Sequence, residues 1–193
     1  MKIAIIKYNA GNVLSVTNAL RRLGIDPVVT DDPAELDRAD KVIFPGVGEA
    51  STAMNYLIQR KLDQVILGLR QPFLGICLGL QVMCRRSEEN DTPCLGIFDL
   101  EVKKFPPLDK VPHMGWNRIE VSGNPLFKGM EGDIFLYYVH SYYAEPGADT
   151  IATTNYIVPF SAALQRDNYY AVQAHPEKSG HDGALILKNF LNI

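Results

Sequence analysis

One of the three cysteines, Cys77, lies in the segment best suited to nucleophilic chemistry. It is the centre of Gly75-Ile76-Cys77-Leu78-Gly79, which follows an apolar run and precedes a helical pattern. This is the thiol version of the G-x-S-x-G elbow, in which the nucleophile sits on a strained turn between a strand and a helix. The glycines allow neighbouring backbone to approach closely, and the helix amino terminus favours a thiolate. The sequence therefore indicates Cys77 as a nucleophile.

A histidine and a glutamate near the carboxyl end can supply the base that such a thiol needs. His175-Pro176-Glu177 follows an apolar strand pattern over residues 170–174. Residues two apart in an extended chain point to the same side, so His175 and Glu177 can face one site. The carboxylate would then fix the imidazole tautomer and stabilise the imidazolium. The competitors for the role of base are His113, His140 and His181.

A glycine-bearing turn, Phe44-Pro45-Gly46-Val47-Gly48, follows another apolar run. At the carboxyl edge of a parallel sheet, such a turn can direct backbone N–H groups at an anionic centre. A plain connection between a strand and a helix explains the same residues equally well. The turn is thus a candidate for binding a negative charge only in combination with Cys77.

The other cysteines, Cys84 and Cys94, lack such surroundings and are interpreted as packing or loop residues. The spacing of the three cysteines matches no zinc pattern of the C-x₂-C kind, so we expect no metal site. Their odd number argues against a disulfide framework.

The overall composition excludes several classes of protein. The chain has 193 residues, 47% of them hydrophobic and 21% charged, with a formal net charge of −3. It has no polybasic run and no apolar run near the ~20 residues of a membrane-spanning helix. We therefore expect no nucleic-acid partner and no membrane. The amino terminus does not have the pattern of a signal peptide, which predicts a cytoplasmic protein.

Strand and helix patterns alternate in the first half of the chain. One helix is predicted from the apolar residues 13, 16, 20 and 23, a second from the start signal Asp32-Pro33, and a longer one over about 50–69. Short apolar runs rich in strand-forming residues lie at 3–6, 27–30, 42–44 and 73–76. This alternation predicts parallel strands joined by right-handed crossovers.

The second half has shorter alternating patterns that are broken by prolines and glycines. They predict antiparallel strands between 96 and 174, followed by a closing helix over about 183–191. We therefore predict an α/β fold with a mostly parallel central sheet, helices on both faces and an antiparallel extension in the second half. No linker or internal repeat divides the chain, so residues 1–193 are predicted to form a single domain.

These motifs, in this order, resemble those of the class I (triad) glutamine amidotransferases, which implies their flavodoxin-like three-layer sandwich. The resemblance covers essentially the whole chain, and among these enzymes it is greatest to the glutaminase subunits of imidazole glycerol phosphate synthase. The segments that carry it are Tyr8-Asn9-Ala10-Gly11-Asn12, Pro45-Gly46-Val47-Gly48, Gly75-Ile76-Cys77-Leu78-Gly79-Leu80-Gln81, Pro112-His113-Met114-Gly115-Trp116-Asn117, Tyr138-Val139-His140-Ser141-Tyr142 and His175-Pro176-Glu177-Lys178-Ser179.

The resemblance implies a role for individual residues. Cys77 would attack the side-chain amide of L-glutamine, His175 would pass a proton to the departing ammonia, and Glu177 would orient His175. Three further sets are implied: an oxyanion hole at Val47, Gly48 and Leu78; substrate contacts at Gly48, Gln81, His140, Ser141 and Tyr142; and a partner interface at Asn12, His113, Trp116 and Lys178.

The resemblance also implies a partner. Ammonia would pass to a (β/α)₈-barrel cyclase subunit of the HisF type, with which the chain would form a heterodimer. The barrel would form imidazole glycerol phosphate and aminoimidazole carboxamide ribotide in histidine biosynthesis. No cofactor is implied.

Two segments depart from the family pattern. Ala174 stands where an aromatic residue usually precedes the catalytic histidine, and Glu49-Ala50 replaces a small residue followed by an aromatic one. Neither change removes a reactive group. We expect altered packing without loss of catalysis.

Two other functions fit part of the sequence. Another triad amidotransferase, such as the glutaminase of pyridoxal phosphate synthase or the small subunit of anthranilate synthase, would leave the segment 112–117 unexplained. A non-catalytic interaction subunit with the same fold would not need Cys77, His175 and Glu177, all of which are present.

Overall fold

The computed structural model of the chain describes residues 1–8 and 12–193. Residues 9–11, which belong to the amino-terminal segment of the family resemblance, lie outside the described part. The strands are β1 (Ile3–Ile6), β2 (Val28–Thr30), β3 (Lys41–Phe44), β4 (Phe73–Ile76), β5 (Cys84–Ser87), β6 (Thr92–Pro93), β7 (Phe98–Lys104), β8 (His113–Val121), β9 (Ile134–His140), β10 (Tyr142–Ala144), β11 (Thr150–Tyr156), β12 (Val158–Arg166) and β13 (Tyr169–Val172). The α-helices are α1 (Val13–Arg22), α2 (Pro33–Asp37), α3 (Ala50–Gln59), α4 (Leu62–Gly68), α5 (Leu78–Met83) and α6 (Gly180–Asn192).

The larger of two sheets has the strand order β2-β1-β3-β4-β13-β12-β11-β8-β9. Its first five strands are parallel neighbours, and every pairing from β13 to β9 is antiparallel. The α/β class and the antiparallel extension predicted from the sequence are therefore confirmed. A separate sheet with the order β10-β7-β5-β6 was not predicted, because short alternating runs do not indicate which sheet a strand joins.

Helices cover both faces of the larger sheet. In β1, Ile3 and Ile5 pack in the same hydrophobic cluster as residues of α1 and α6, whereas Ala4 and Ile6 pack in the cluster that includes residues of α2, α3 and α4. Strands buried on both faces read as apolar runs, which is why β1, β3 and β4 were recognisable in the sequence. The edge strand β2 differs, because Val28 and Val29 are exposed. Burial of each large aliphatic side chain is worth about 1.5–3 kcal/mol relative to exposure.

One predicted helix differs from the structure. The pattern over 50–69 forms two helices, α3 and α4, because Lys61 between them adopts a left-handed backbone conformation with a φ of 57°. The break redirects the chain so that Leu62 and Ile66 of α4 are buried. The apolar periodicity continues across the break and therefore did not reveal the end of the first helix.

Within residues 1–8 and 12–193, no helix combines the length and apolar character required to span a membrane.

Candidate active site

Cys77 lies on the turn that connects β4 to α5. Its φ of 53° and ψ of −104° are strained for a residue with a side chain, as expected of a nucleophile elbow. Its N–H donates to the carbonyl of Val172 at 2.8 Å, and its carbonyl accepts from the N–H of Gln81 at 3.2 Å. Cys77 is thus bound to β13 on one side and to the first turn of α5 on the other.

The two glycines of the elbow are required by close backbone packing. A Cβ atom added at Gly75 would lie 2.8 Å from the carbonyl carbon of Gly79, and one added at Gly79 would collide with the carbonyl oxygen of Phe44. The close approach predicted from the motif is therefore present. It brings α5 against the end of β3, where the Pro45–Gly48 turn begins.

His175 and Glu177 follow β13 and form a buried pair beside the elbow. Nδ1 of His175 lies 2.8 Å from Oε1 of Glu177, and both side chains are fully buried. Asn12 donates from Nδ2 to the same carboxylate oxygen. The backbone of His175 is fixed by its N–H, which donates to the carbonyl of Tyr137 in β9 at 2.9 Å.

The electrostatic surroundings favour the protonated form of His175. Burial acts to lower its pKa, but Cys77 and the Glu177 carboxylate outweigh burial and raise the pKa to about 10. Nε2 of His175 has no hydrogen-bond partner among the residues described. Nδ1 faces the carboxylate, so Nε2 is the atom that remains available for proton transfer.

A cavity of about 310 Å³ opens above Cys77 at the junction of the two sheets. Every residue that the resemblance assigned to the substrate or the oxyanion hole lines it, and three more do so that sequence reasoning missed: Glu89, Pro112 and Val139. Pro112 and Val139 lie in segments of the family resemblance without having been assigned a role, whereas no motif marked Glu89. The lining residues are Val47, Gly48, Cys77, Leu78, Gln81, Glu89, Pro112, Val139, His140, Ser141 and Tyr142.

A network of amide groups connects the wall of this cavity to Cys77. Nε2 of Gln81 donates to the carbonyl of Tyr142 at 2.9 Å and to Oε1 of Gln173 at 3.2 Å. Nε2 of Gln173 in turn lies 3.6 Å from Sγ of Cys77. The position of Tyr142 is therefore coupled through two amides to that of the thiol.

The four residues expected at a partner interface have different surroundings. Trp116 is 56% exposed and Lys178 is also exposed, whereas Asn12 is half-buried against Glu177. His113 is only 3% exposed, so its side chain is not on a surface that a partner could contact directly. Side chains alternate along β8, which turns His113 inward and its neighbour Met114 outward.

The other candidates for nucleophile and base lie in different environments. His181 is exposed on α6, and His113 and His140 are buried together near the cavity. Burial raises the pKa of the Cys84 thiol and raises that of Cys94 to about 12, so neither forms a thiolate readily. Within the described ranges 1–8 and 12–193, no three potential ligands are grouped to hold a metal ion.

The two departures from the family pattern also have defined places. Ala174 is fully buried in the hydrophobic cluster that contains Tyr138 and Phe160. Ala50 is fully buried as well, while Glu49 is exposed and accepts a hydrogen bond from Thr52 at 2.8 Å. None of these residues lines the cavity above Cys77.

The fold and the cysteine site together define a class of enzyme. The sequence matches the family described as glutamine amidotransferase class-I over residues 4–193. A solved glutamine amidotransferase structure has a TM-score of 0.74 at 18% identity, covering 98% of this chain and 97% of the other. Another, from Thermotoga maritima, has a TM-score of 0.66 at 16% identity, covering 99% and 82%. The chain belongs to the class I glutamine amidotransferases.

More similar relatives narrow this assignment. The imidazole glycerol phosphate synthase subunit HisH of Bacteroides fragilis is 59% identical, and that of Escherichia coli K12 is 46% identical, each over the full length of both chains. Within the amidotransferases, the chain is a member of the HisH family.

Proposed function

We propose that Cys77, His175 and Glu177 are the residues with which this HisH-type glutaminase hydrolyses L-glutamine. The observation that carries the proposal is the buried His175–Glu177 pair beside a cysteine on a strained elbow, at the base of a cavity of about 310 Å³. A nucleophile, its base and the group that orients the base are thus together at one site.

The chemistry takes place in two halves. In the first, the Cys77 thiolate forms a bond to the amide carbon of the glutamine side chain, and the carbonyl oxygen takes up negative charge. As the carbon–nitrogen bond breaks, imidazolium His175 gives its Nε2 proton to the leaving nitrogen, which departs as ammonia. In the second half, neutral His175 takes a proton from water, whose oxygen attacks the glutamyl thioester and releases glutamate and the thiolate.

Three backbone amides at the cavity are the candidates for stabilising the oxyanion. Leu78 begins α5 directly after Cys77, and Val47 and Gly48 line the same cavity. An amide directed at the developing negative charge contributes more to the transition state than to the bound substrate. We assign the oxyanion hole to these three residues.

Glu89 is suited to recognise the amino-acid end of the substrate. It is the one carboxylate among the described residues that line the cavity. Its Oε2 accepts a hydrogen bond from the N–H of Ala50 at 2.7 Å, which fixes the carboxylate at the amino terminus of α3. Its second oxygen is left to pair with the α-ammonium group of glutamine. His140, Ser141, Tyr142, Gln81 and Gly48 complete the binding site.

Replacing Glu89 with glutamine is expected to raise the KM for glutamine roughly tenfold, with a smaller change in kcat, because a charge-assisted hydrogen bond to the substrate is lost. Steady-state glutamate release measures both constants. Glu88→Gln is the matched control, since Glu88 is exposed and does not line the cavity. An unchanged KM in Glu89→Gln, or an equal rise in Glu88→Gln, would contradict this role.

The partner in this proposal is a HisF-type (β/α)₈-barrel cyclase, to which ammonia passes in a heterodimer. Met114, Trp116 and Phe135 of the β8–β9 hairpin form an exposed apolar surface, and exposed Lys178 follows the triad. The carbonyl of Tyr137 in β9 binds the backbone of His175, so this surface is connected to the base. The products are imidazole glycerol phosphate and aminoimidazole carboxamide ribotide in histidine biosynthesis.

We place the enzyme in the cytoplasm and treat residues 1–193 as one domain.

The function is tested by measuring glutamate release from glutamine by the chain alone and together with a HisF-type subunit loaded with its nucleotide ligand. We expect slow release alone and a marked increase with the loaded subunit, because the family couples hydrolysis to the partner. Absence of release under both conditions would contradict the glutaminase function. Release that does not respond to the barrel subunit would contradict the choice of partner.

A further inference from the structure

A chain of hydrogen bonds leads from Asn117, on the same side of β8 as His113, to the wall of the proposed glutamine cavity. Nδ2 of Asn117 lies 3.2 Å from Nε2 of His113, and Nδ1 of His113 lies 3.1 Å from Nε2 of His140. Nδ1 of His140 lies 2.8 Å from the carbonyl oxygen of Tyr142. His113 and His140 are directly opposite each other in the β8–β9 pair.

The acceptor at the end of the chain sets the direction of every bond in it. Burial lowers the pKa of His113 to about 4 and that of His140 to about 3, so both imidazoles are neutral near pH 7. The Tyr142 carbonyl can only accept, so His140 carries its hydrogen on Nδ1 and its Nε2 is an acceptor. His113 must then donate from Nδ1, which leaves its Nε2 to accept from Asn117.

Asn117, at the far end of this series of hydrogen bonds, is equally constrained. The amide nitrogen of Asn117 also donates to the carbonyl of Asn155 at 3.0 Å, and Oδ1 of Asn117 accepts from the N–H of Arg118 at 2.7 Å. Both amide hydrogens are therefore used, and the amide cannot rotate without losing bonds. Asn117 is thus held by backbone groups in a single orientation.

The ring of His113 is also fixed in its plane. It stacks on Tyr156 with ring centroids 4.0 Å apart at 14°, and on Tyr138 with centroids 4.9 Å apart at 20°. His140 lines the cavity at the point where the polypeptide passes from β9 in the larger sheet to β10 in the smaller one. The series of hydrogen bonds therefore connects a rigid aromatic stack to the junction that forms the proposed glutamine site.

We propose that His113 is a positioning residue for the glutamine site, which acts through His140 to hold the peptide of Tyr142 in place. The same carbonyl accepts from Gln81, whose amide reaches Gln173 and then Cys77. His113 does not itself line the cavity. The inference rests on the proposed glutaminase function and adds a residue that neither substrate nor partner touches.

Two substitutions at position 113 separate hydrogen bonding from packing. His113→Phe keeps an aromatic ring between Tyr138 and Tyr156 but removes the donor to His140. His113→Asn loses the ring but places an amide N–H close to the position of Nδ1, so it can still donate. A residue needed only for packing tolerates phenylalanine better, whereas a residue needed to direct His140 tolerates asparagine better.

For glutamine hydrolysis with the HisF-type subunit present, His113→Phe is expected to raise the KM for glutamine roughly tenfold, because the His140 acceptor is left unsatisfied. His113→Asn is expected to stay within about threefold of the wild type, and kcat should change less than KM in both variants. His181→Phe and His181→Asn are the matched controls, because His181 is exposed on α6. Neither control should change KM.

Nitrogen-15 NMR of the unmodified chain provides a readout that does not depend on activity. The hydrogen-bond directions require both His113 and His140 to be protonated at Nδ1, which is the less common tautomer of a free imidazole in water. Protonation of either ring at Nε2 would overturn the proposal even if the variants failed to fold.

The kinetic outcomes separate the role of His113 from the glutaminase function. A lower KM in His113→Phe than in His113→Asn, or equal constants in both, would overturn the role of His113 while leaving the glutaminase function intact. Absence of glutamate release by the wild type with the loaded partner would contradict the glutaminase function itself.

Discussion

Replacing Cys77 with alanine should lower glutamine hydrolysis by about 10³-fold or more, the scale seen when a hydrolase loses its nucleophile. Without Sγ no thioester can form, and neither His175 nor the oxyanion amides can replace it. If the proposed barrel subunit is the partner, synthesis by the complex should then fail with glutamine but continue with an ammonium salt, because that subunit needs only ammonia. Glutamate release and the cyclase reaction with each nitrogen source measure these effects.

The other cysteines provide the control for this substitution. Cys94 is half-buried and does not line the cavity, so Cys94→Ala should leave both activities unchanged. Loss of ammonium-dependent synthesis in Cys77→Ala would show that the residue maintains the structure of the complex. Retention of glutamine-dependent synthesis would contradict the assignment of the nucleophile.

Substituting Glu177 with glutamine should lower kcat/KM for glutamine hydrolysis by roughly 10²-fold to 10⁴-fold, as in other triads whose carboxylate becomes an amide. Nδ1 of His175 lies 2.8 Å from the carboxylate, and a glutamine amide can rotate to donate there and select the wrong tautomer. The carboxylate also helps to raise the pKa of His175 to about 10. The substitution therefore removes both orientation and charge stabilisation.

The pH dependence of this variant has a definite sign. A raised pKa keeps His175 protonated until the pH approaches that value, so in the wild type the proton donor for ammonia persists to alkaline pH. Without the carboxylate the pKa of His175 falls, and the alkaline limb of kcat/KM should move to lower pH. The exposed Glu120 on β8 supplies the control, because Glu120→Gln should leave the profile unchanged. An alkaline limb at the wild-type pH in Glu177→Gln would rule out this electrostatic role.

Much of the parallel half of the fold was predictable because its signals are local. The strands β1, β3, β4 and β13 are buried on both faces, so each is an apolar run in the sequence, apart from Lys41 at the start of β3. The elbow at Cys77 was equally recognisable. Its two glycines are required by close contacts within the same strand–turn–helix unit and with the end of β3. The periodicity over 50–69 did not reveal the break at Lys61, because it reports apolar spacing and not backbone conformation.

The proposed nucleophile and the His-x-Glu pair were identifiable from short motifs, and the family resemblance named the other candidate site residues. Long-range packing supplied what neither could: Glu89 in the cavity, His113 beneath the surface, and the hydrogen bonds from His113 to Tyr142. These contacts join residues far apart in the chain, across two sheets whose junction leaves no periodic signal. Local sequence was enough to indicate the proposed reactive groups, because each lies in a short motif. The binding site around them depends on how the second sheet folds against the first.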